Sequence, residues 1–324
     1  MPSPSAALTS LRPELGTFAE FDLAMDRQGF IGTRVLPILN VGTPSGTFGK
    51  IPIEQLIKAR DTARASGAGY SRGNWTFTKD SFHTEEQGAE EVVDDRESTI
   101  YSNYFQAEQI STQRAVDAIL RNQELRFAAL IGNTSTWTGT PLTTSIGTPW
   151  ATVATATPIE DVEAAVRKVR ENSGMLPNAM IISWVTYRNL RMSDQILDRI
   201  QTQNFQDVRA GMIGASHLSA VFDIPQIIVA GGIKDSEPEG DAFTQASIWN
   251  DDYCMICRIA ETDDIREPCI GRTFHYAEDG SSPLGTIESY REEARRGDVI
   301  RVRHEVGEKV MYAEMGHLLT GCIT

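Results

Sequence analysis

One stretch indicates the fold class: residues 94–131 read DDRESTIYSNYFQAEQISTQRAVDAILRNQELRFAALI and contain neither glycine nor proline. The segment is rich in Gln, Glu, Arg and Ala, most of which favour helices. Val116, Ile119 and Phe127 lie on one apolar face at helical spacing. We therefore predict one long helix, roughly 55 Å at the usual rise per residue. Gly132 ends it, and the rest of the protein covers its apolar side.

The segment upstream of this helix, residues 42–92, is broken by glycines and carries two strand-like stretches. The first is residues 48–53, and the second is residues 74–79, in which Trp75 and Phe77 alternate with polar residues. We predict a long two-stranded excursion. An isolated hairpin is only marginally stable in water, so this one should rest on the remainder of the chain or on a neighbouring copy.

Charges divide this part of the chain in two. Basic side chains lie within the excursion, and an acidic run follows them: Lys50, Lys58, Arg60, Arg64, Arg72 and Lys79, then Glu85, Glu86, Glu90, Glu91, Asp94 and Asp95. The basic set either keeps the limb soluble or meets acidic surfaces of another subunit. The acids could bind a divalent cation, but a solvated start of the long helix is favoured, because carboxylates stabilise the positive end of a helix dipole.

The remainder of the chain alternates between helical and strand patterns. After a connection over residues 133–156, Thr157, Pro158 and Glu160 predict a helix start with a capping box. Further helices are predicted near residues 184–190, 193–201 and 216–222. Strands are predicted at residues 179–182, 226–230, 246–249, 253–259, 299–304 and 309–312. This order is typical of an α+β fold, whereas residues 1–41 show no sustained period and are predicted to form an arm.

Composition limits the possible functions. A chain of 324 residues should form two or more lobes. The net charge of −14 disfavours strong binding to DNA, so only weak, non-specific contact is expected. Four cysteines in so long a chain are expected to be free thiols. The sequence has neither a signal-like leader nor an apolar run long enough to span a membrane, so no membrane association is expected.

Common catalytic and cofactor motifs do not fit. The loop Gly46-Thr-Phe-Gly49-Lys50 has two residues between its glycines, where a phosphate-binding loop needs four. Cys254 and Cys257 have the spacing of half a zinc site, but the other half is missing. The five histidines are scattered, and no serine-hydrolase elbow occurs. We therefore expect no enzymatic activity, no cofactor and no metal ion.

The order of arm, two-stranded excursion, long helix, α+β lobe and returning strands resembles the major capsid proteins of tailed bacteriophages with the Hong Kong 97 type of fold. Residues 176–190, 224–231 and 247–250 are similar to strands and a short helix of that family. The resemblance implies five regions: an N-terminal arm (1–41), an E-loop (42–92), the spine helix and peripheral domain (93–157), an axial domain (158–285) and returning peripheral strands (286–324).

The resemblance also implies a function. Such a protein self-assembles through hexamers and pentamers into the icosahedral shell around a double-stranded DNA genome. Its location would be the virion capsid, assembled in the host cytoplasm, with scaffolding, portal and decoration proteins as further partners. The alternatives are an encapsulin-like compartment shell and, from another class, a cytosolic α+β enzyme.

In such an assembly, identical neighbours could cover the arm and the excursion of each subunit reciprocally. The side chains expected at subunit contacts are therefore the apolar and charged residues of the excursion and of the acidic run: Phe48, Lys50, Ile53, Arg60, Arg64, Arg72, Trp75, Phe77, Glu90, Glu91 and Asp94.

Overall fold

A computed structural model describes residues 10–11, 29–50, 52–74, 76–101, 107–201, 213–237, 242–277 and 280–324. Helices and sheets are mixed along the chain, which confirms the predicted α+β class. The predicted arm (1–41) lies mostly outside the described residues. Phe30, Ile31, Val35 and Leu36, which the sequence assigned to that arm, are buried in the main core.

The described part of the chain forms strands that we number in chain order: β1 (Ser10–Leu11), β2 (Ile38–Val41), β3 (Ser45–Lys50), β4 (Thr78–His83), β5 (Glu85–Asp94), β6 (Thr143–Ser145), β7 (Ala179–Ser183), β8 (Gln226–Ala230), β9 (Ile233–Asp235), β10 (Gln245–Ser247), β11 (Tyr253–Cys257), β12 (Gly271–Tyr276), β13 (Thr286–Glu292), β14 (Gly297–Val310) and β15 (Gly316–Thr320).

The helices within the same ranges are α1 (Gly32–Val35), α2 (Ile53–Ile57), α3 (Asp95–Tyr101), α4 (Ala107–Ile131), α5 (Pro158–Ser173), α6 (Trp184–Leu190), α7 (Asp194–Gln201) and α8 (Ala215–Phe222). At the usual rise per residue α4 is about 37 Å long. We predicted one uninterrupted helix over residues 94–131. The structure describes two helices in this range, α3 and α4, and residues 102–106 between them lie outside the described residues. No helix among the described residues is both long and apolar enough to cross a membrane.

The long strand β14 organises the first sheet. Along one edge it pairs antiparallel with β5 over ten residues. Along its other edge the first half pairs with β13 and the second half with β12. Strand β1 extends this sheet beyond β13, and β2 lies parallel to β12. Strand β14 therefore joins residues 85–94 to residues 271–276 and 286–292 in one sheet.

A second sheet has the order β6-β15-β11-β7-β8. One of its faces packs towards α4 and the first sheet, and residues such as Ile181, Met255 and Leu318 belong to that main core. The other face packs against α5, α7 and α8 and forms a second core that includes Val169 and Ile256. All four cysteines are buried free thiols, and burial raises the pKa of Cys254 well above its usual value.

The prediction that the acidic run begins a helix is wrong for most of its length. Residues 85–94 form strand β5, and only Asp95 starts a helix. Alternate side chains along β5 are turned towards the protein, ending at buried Val93, while Glu86 and Glu90 are exposed. Opposite-charge pairing across neighbouring strands stabilises such a sheet edge, and β14 supplies the arginines.

The predicted capping box of α5 is also wrong, although the helix itself begins at Pro158 as expected. The Thr157 side chain makes no capping hydrogen bond. Instead, Gln195 of α7 accepts a hydrogen bond from the Ile159 backbone N–H at 3.0 Å and donates to Glu160. A side chain distant in sequence thus caps this helix, which local spacing could not reveal.

Glu124 is a buried carboxylate that joins three separate segments. It projects from α4 and accepts hydrogen bonds at 2.9 Å from the backbone N–H groups of Ile31 and Gly32, at the start of α1. The Trp249 indole N–H donates to the same carboxylate at 2.6 Å. Burial raises the pKa of Glu124 above its usual value, although the three hydrogen bonds act in the opposite direction.

His304 is a buried histidine on β14. Its Nδ1 lies 3.1 Å from the carbonyl oxygen of Pro283, and its Nε2 has no hydrogen-bond partner among the described residues. Burial lowers the pKa of His304. The Pro283 carbonyl and Glu308 oppose this shift, whereas Arg126 and His275 add to it.

Replacing Glu124 by alanine is expected to destabilise the unassembled subunit by at least about 3 kcal/mol, because each orphaned buried N–H costs about 1–3 kcal/mol. Urea denaturation followed by circular dichroism measures the change. Glu163→Ala, at an exposed position of α5, serves as the control and should cost less than about 0.5 kcal/mol. Equal losses for the two variants would contradict the role given to Glu124.

The free energy of unfolding is expected to fall as the pH drops below about 6.5, the unperturbed histidine pKa. In that range the unfolded chain takes up a proton at residue 304 that the folded state binds only at lower pH. His304→Asn should reduce this slope. Denaturation series between pH 7 and pH 5 measure it, and identical slopes for the variant and the unmodified chain would refute the assignment.

Candidate subunit-contact site

The excursion over residues 42–92 begins as a two-stranded stem. Strands β3 and β4 pair antiparallel from Ser45 with His83 to Lys50 with Thr78. The predicted strands 48–53 and 74–79 therefore occur as a pair, displaced by a few residues. The hairpin prediction is confirmed for this stem.

Three aromatic rings seat the stem on the first sheet. Phe82 of β4 stacks on Phe274 of β12 with ring centroids 4.5 Å apart, and Phe48 of β3 stacks on the same ring at 6.2 Å. Phe274 is fully buried. Aromatic stacking of this kind adds about 0.5–1.5 kcal/mol to the burial itself, so the stem is held by its own chain.

Two lysines add polar contacts at the same place. Lys50 Nζ donates to the Met311 carbonyl oxygen at 2.5 Å and lies 4.4 Å from the centre of the Tyr312 ring. Lys309 of β14 donates to the carboxylate of Asp80 and to the Ser81 carbonyl oxygen. Although partial burial acts to raise the pKa of Asp80, the hydrogen bonds from Lys309 and Ser81 and the lysine charges lower it below its usual value.

Gly307 permits the close approach of the stem to β14. A Cβ atom at this position would lie 2.0 Å from the carbonyl oxygen of His83, the last residue of β4. No real Cβ contact is that short, so any other residue would displace the backbone where the hairpin joins the sheet. Glycine is therefore required here for space.

Beyond the stem, the two sides of the hairpin make one further contact and then extend away from the rest of the subunit. The Thr76 backbone N–H donates to Gln55 Oε1 at 2.9 Å, and Gln55 donates back to the Thr76 hydroxyl. Every residue from 57 to 74 is exposed. We call residues 57–74 the tip.

The tip is basic and carries large exposed side chains. It contains four cations, Lys58, Arg60, Arg64 and Arg72, against the single carboxylate of Asp61. Arg64 lies 4.7 Å from the ring centre of Tyr70 and donates to the Ala68 carbonyl oxygen at 2.6 Å. Tyr70 is 75% exposed and nearby Phe77 is 66% exposed, so apolar surface remains uncovered within a single subunit.

Several carboxylates of the acidic run pair with cations of the same subunit. Glu90 pairs with Arg301 at 2.7 Å, and Glu91 lies 3.5 Å from Arg114. Asp95 pairs with Arg291 at 2.6 Å, and this hydrogen bond lowers the pKa of the Asp95 carboxyl. The charges of the acidic run are therefore largely matched within the subunit.

The structure thus separates the subunit-contact candidates into three sets. Phe48, Lys50 and Ile53 contact their own chain near the stem or are buried. Glu90, Glu91 and Asp94 lie on β5. The residues left at the exposed end are Arg60, Arg64, Arg72 and Phe77. Trp75 lies outside the described residues. The contact role of all of these residues remains a prediction.

The described residues contain no group of three or more His, Cys, Asp or Glu side chains arranged to hold a metal ion. A cleft lined by Ile131, Tyr253, Met255 and Leu318 has a volume of about 20 Å³. That is room for about one water molecule, whereas ligand pockets measure some hundreds of Å³. We therefore take the exposed basic tip, rather than this cleft, as the candidate contact site.

Comparison with known proteins gives one curated relative of similar length. The chain is 24% identical over 297 residues to the major capsid protein of Burkholderia phage BcepMu, covering 90% of this chain and 91% of that protein. No protein family profile matches the chain.

Solved structures share the fold. A phage-related protein from Bordetella bronchiseptica RB50 superposes with a TM-score of 0.70 at 17% identity, over 96% of this chain and 97% of the other. The SrpI encapsulin of Synechococcus elongatus PCC 7942 superposes with a TM-score of 0.55 at 10% identity, over 99% and 92% of the two chains. Phage capsids give TM-scores of 0.51 to 0.56.

The fold is therefore that of the capsid proteins of the Hong Kong 97 type, as the sequence predicted. Within this class the chain is a relative of phage major capsid proteins, which confirms the resemblance stated from the sequence.

Limited trypsin digestion of the unassembled subunit is expected to cut first after Lys58, Arg60, Arg64 or Arg72, because exposed segments are the preferred sites of proteolysis. Mass spectrometry of the first fragments identifies the cut positions. Initial cleavage at arginines of β14 instead would show that the tip is packed against the subunit.

Proposed function

We propose that this chain is the major capsid protein of a tailed phage and that it assembles through hexamers and pentamers into the icosahedral shell around the double-stranded DNA genome. The observation that carries this proposal is the likeness, over nine-tenths of both chains, to a phage major capsid protein. The shared fold supports it.

The proposed division of labour within the subunit follows from burial. The body, with α4 between the sheets, is a packed unit. The tip has no cover of its own, and a neighbouring copy supplies it. In the assembled shell Arg60, Arg64, Arg72 and Phe77 contact that neighbour, and Phe48, Lys50 and Ile53 hold the root of the hairpin in position for this contact. Glu90, Glu91 and Asp94 stay as further contact candidates at the sheet edge.

The charge of the molecule suits a container for DNA. With a net charge of −14, the subunit repels polyanions, so contact with packaged DNA is weak and non-specific. The protein acts as a structural subunit in the virion capsid, without enzymatic activity, and assembles in the host cytoplasm. Scaffolding, portal and decoration proteins are its further proposed partners.

The second candidate function is an encapsulin-like compartment shell, favoured by the fold match to the Synechococcus encapsulin. The two functions differ in contents, since one shell holds a genome and the other a protein cargo. The curated relative is a phage protein, which favours the capsid. The third reading, a cytosolic α+β enzyme, has no observation in its favour.

Electron microscopy and size-exclusion chromatography of the expressed protein test the proposal. Rings or closed megadalton particles are expected, and particles from phage-producing cells should contain DNA. A small soluble oligomer at high concentration would refute the shell function, and closed particles that hold only protein would favour the encapsulin function.

Removal of the tip provides a second test. A variant with residues 58–73 replaced by a short Gly-Ser linker should keep the thermal stability of the unassembled subunit, because these residues are exposed, yet its yield of closed particles should fall at least tenfold. The control replaces the exposed surface residues Glu163 and Arg167 of α5 by alanine and should assemble normally. Normal assembly of the linker variant would remove the tip from the proposed contact.

A further inference from the structure

The interface between α4 and β14 contains three buried polar atoms that have no hydrogen-bond partner among the described residues. They are Gln123 Nε2, Arg126 Nη1 and His304 Nε2. Gln123 is 2% exposed and His304 is fully buried. Buried polar atoms are almost always hydrogen-bonded, because an unpaired one is costly. We propose that these three atoms bind one buried water molecule, which links α4 to β14. This inference is independent of the shell function.

An ion pair between α4 and β14 brings the three side chains to the same place. Arg126 donates from Nε and Nη2 to the carboxylate of Glu308 at 2.8–3.2 Å. His304 points to the same side of β14 as Glu308, because residues four apart on a strand share a face. The charges of Arg126 and Glu308 both shift the pKa of His304, so the imidazole lies near this pair. Gln123 precedes Arg126 by one turn of α4, on the buried side of the helix.

The three atoms present two hydrogen-bond donors and one acceptor. Gln123 Nε2 and Arg126 Nη1 can only donate. His304 Nδ1 lies 3.1 Å from the carbonyl oxygen of Pro283. Because a carbonyl oxygen can only accept, Nδ1 carries the proton, and Nε2 of the neutral ring is an acceptor. One water molecule can accept from both donors and donate to Nε2, and about three hydrogen bonds are typical of a buried water molecule.

The charges at this interface disfavour an ion as the ligand. An anion could not donate to His304 Nε2, and the nearby carboxylate of Glu308 would repel it. Arg126 would repel a cation, and the described residues contain no group of three His, Cys, Asp or Glu side chains arranged to hold a metal ion. The ligand is therefore a neutral molecule that both donates and accepts. The burial of Gln123 and His304 favours the smallest such molecule, water.

The proposed water molecule gives α4 a second polar contact inside the protein. Glu124 joins α4 to α1 and to Trp249. Glu124 and Arg126 point to different sides of the helix, because successive residues are turned by about 100°. The water molecule joins the side of α4 that carries Arg126 to β14. Polar contacts therefore fix the rotation of the long helix from two directions.

A density map that shows ordered water tests the inference on the unmodified chain, as a crystallised subunit or in an assembled particle. One peak is expected within about 2.7–3.2 Å of Gln123 Nε2, Arg126 Nη1 and His304 Nε2. A map without a peak there, or with a peak that does not reach all three atoms, would overturn the inference. A strong anomalous signal at this position in bromide-soaked crystals would also overturn it, because it would show an anion.

A pair of substitutions measures whether Gln123 and His304 share this water molecule. Gln123→Met and His304→Phe each remove one bond to it, and each should lower the urea midpoint of the unassembled subunit. The double variant should lose less than the sum of the two losses, because either substitution alone already releases the water molecule.

The matched control combines Gln123→Met with Ser193→Ala, at a buried residue next to α7, and its losses should add. Circular dichroism verifies that each variant folds, and Gln123→Leu replaces Gln123→Met if that variant does not. Additive losses for the Gln123 and His304 substitutions would contradict a shared water molecule.

Discussion

The rest of the structure depends on the hydrogen bonds that Glu124 accepts inside the protein. A carboxylate taken out of water is stable only when donors surround it, and here the donors come from the start of α1 and from Trp249. They connect α1 and the segment between β10 and β11 to the long helix α4. Three segments far apart in sequence thus share one polar contact within an otherwise apolar core, and this requirement fixes how they sit around the helix.

Much of the architecture could be predicted from sequence because it has local causes. The strand patterns gave β7 and β8 nearly at their observed bounds, and the apolar period gave the end of α4 at Ile131. Strand β12 was missed, since its buried polar residues Arg272 and His275 hide the apolar run expected of a strand at that depth. Arg272 donates to the carbonyl oxygens of Thr262 and Asp264, and His275 contacts Asn40 and Ser281. No pattern within the strand records these contacts.

The candidate contact site was likewise predicted from the sequence only in part. Basic residues and glycines in one segment indicated a limb that reaches away from the body, and the exposed tip agrees with that pattern. The sequence could not show where the hairpin stops contacting the rest of its own chain. Phe274 and Lys309 set that boundary, and they lie more than 190 positions after the residues that they contact. The acidic run was misread for a related reason. Its partners lie on β13, β14 and α4, outside the run itself, so the sequence predicted solvated carboxylates where the structure has ion pairs.

Gly307 shows how a small change in one subunit would be multiplied in a closed assembly. The carbonyl oxygen of His83 occupies the space where a methyl group would be, so any side chain there would tilt the whole limb by shifting its root. In a solitary protein such a tilt would alter one molecule. In a symmetric shell every copy repeats the same tilt, and the deviations sum around each ring, so the curvature of the entire particle would depend on one missing carbon atom.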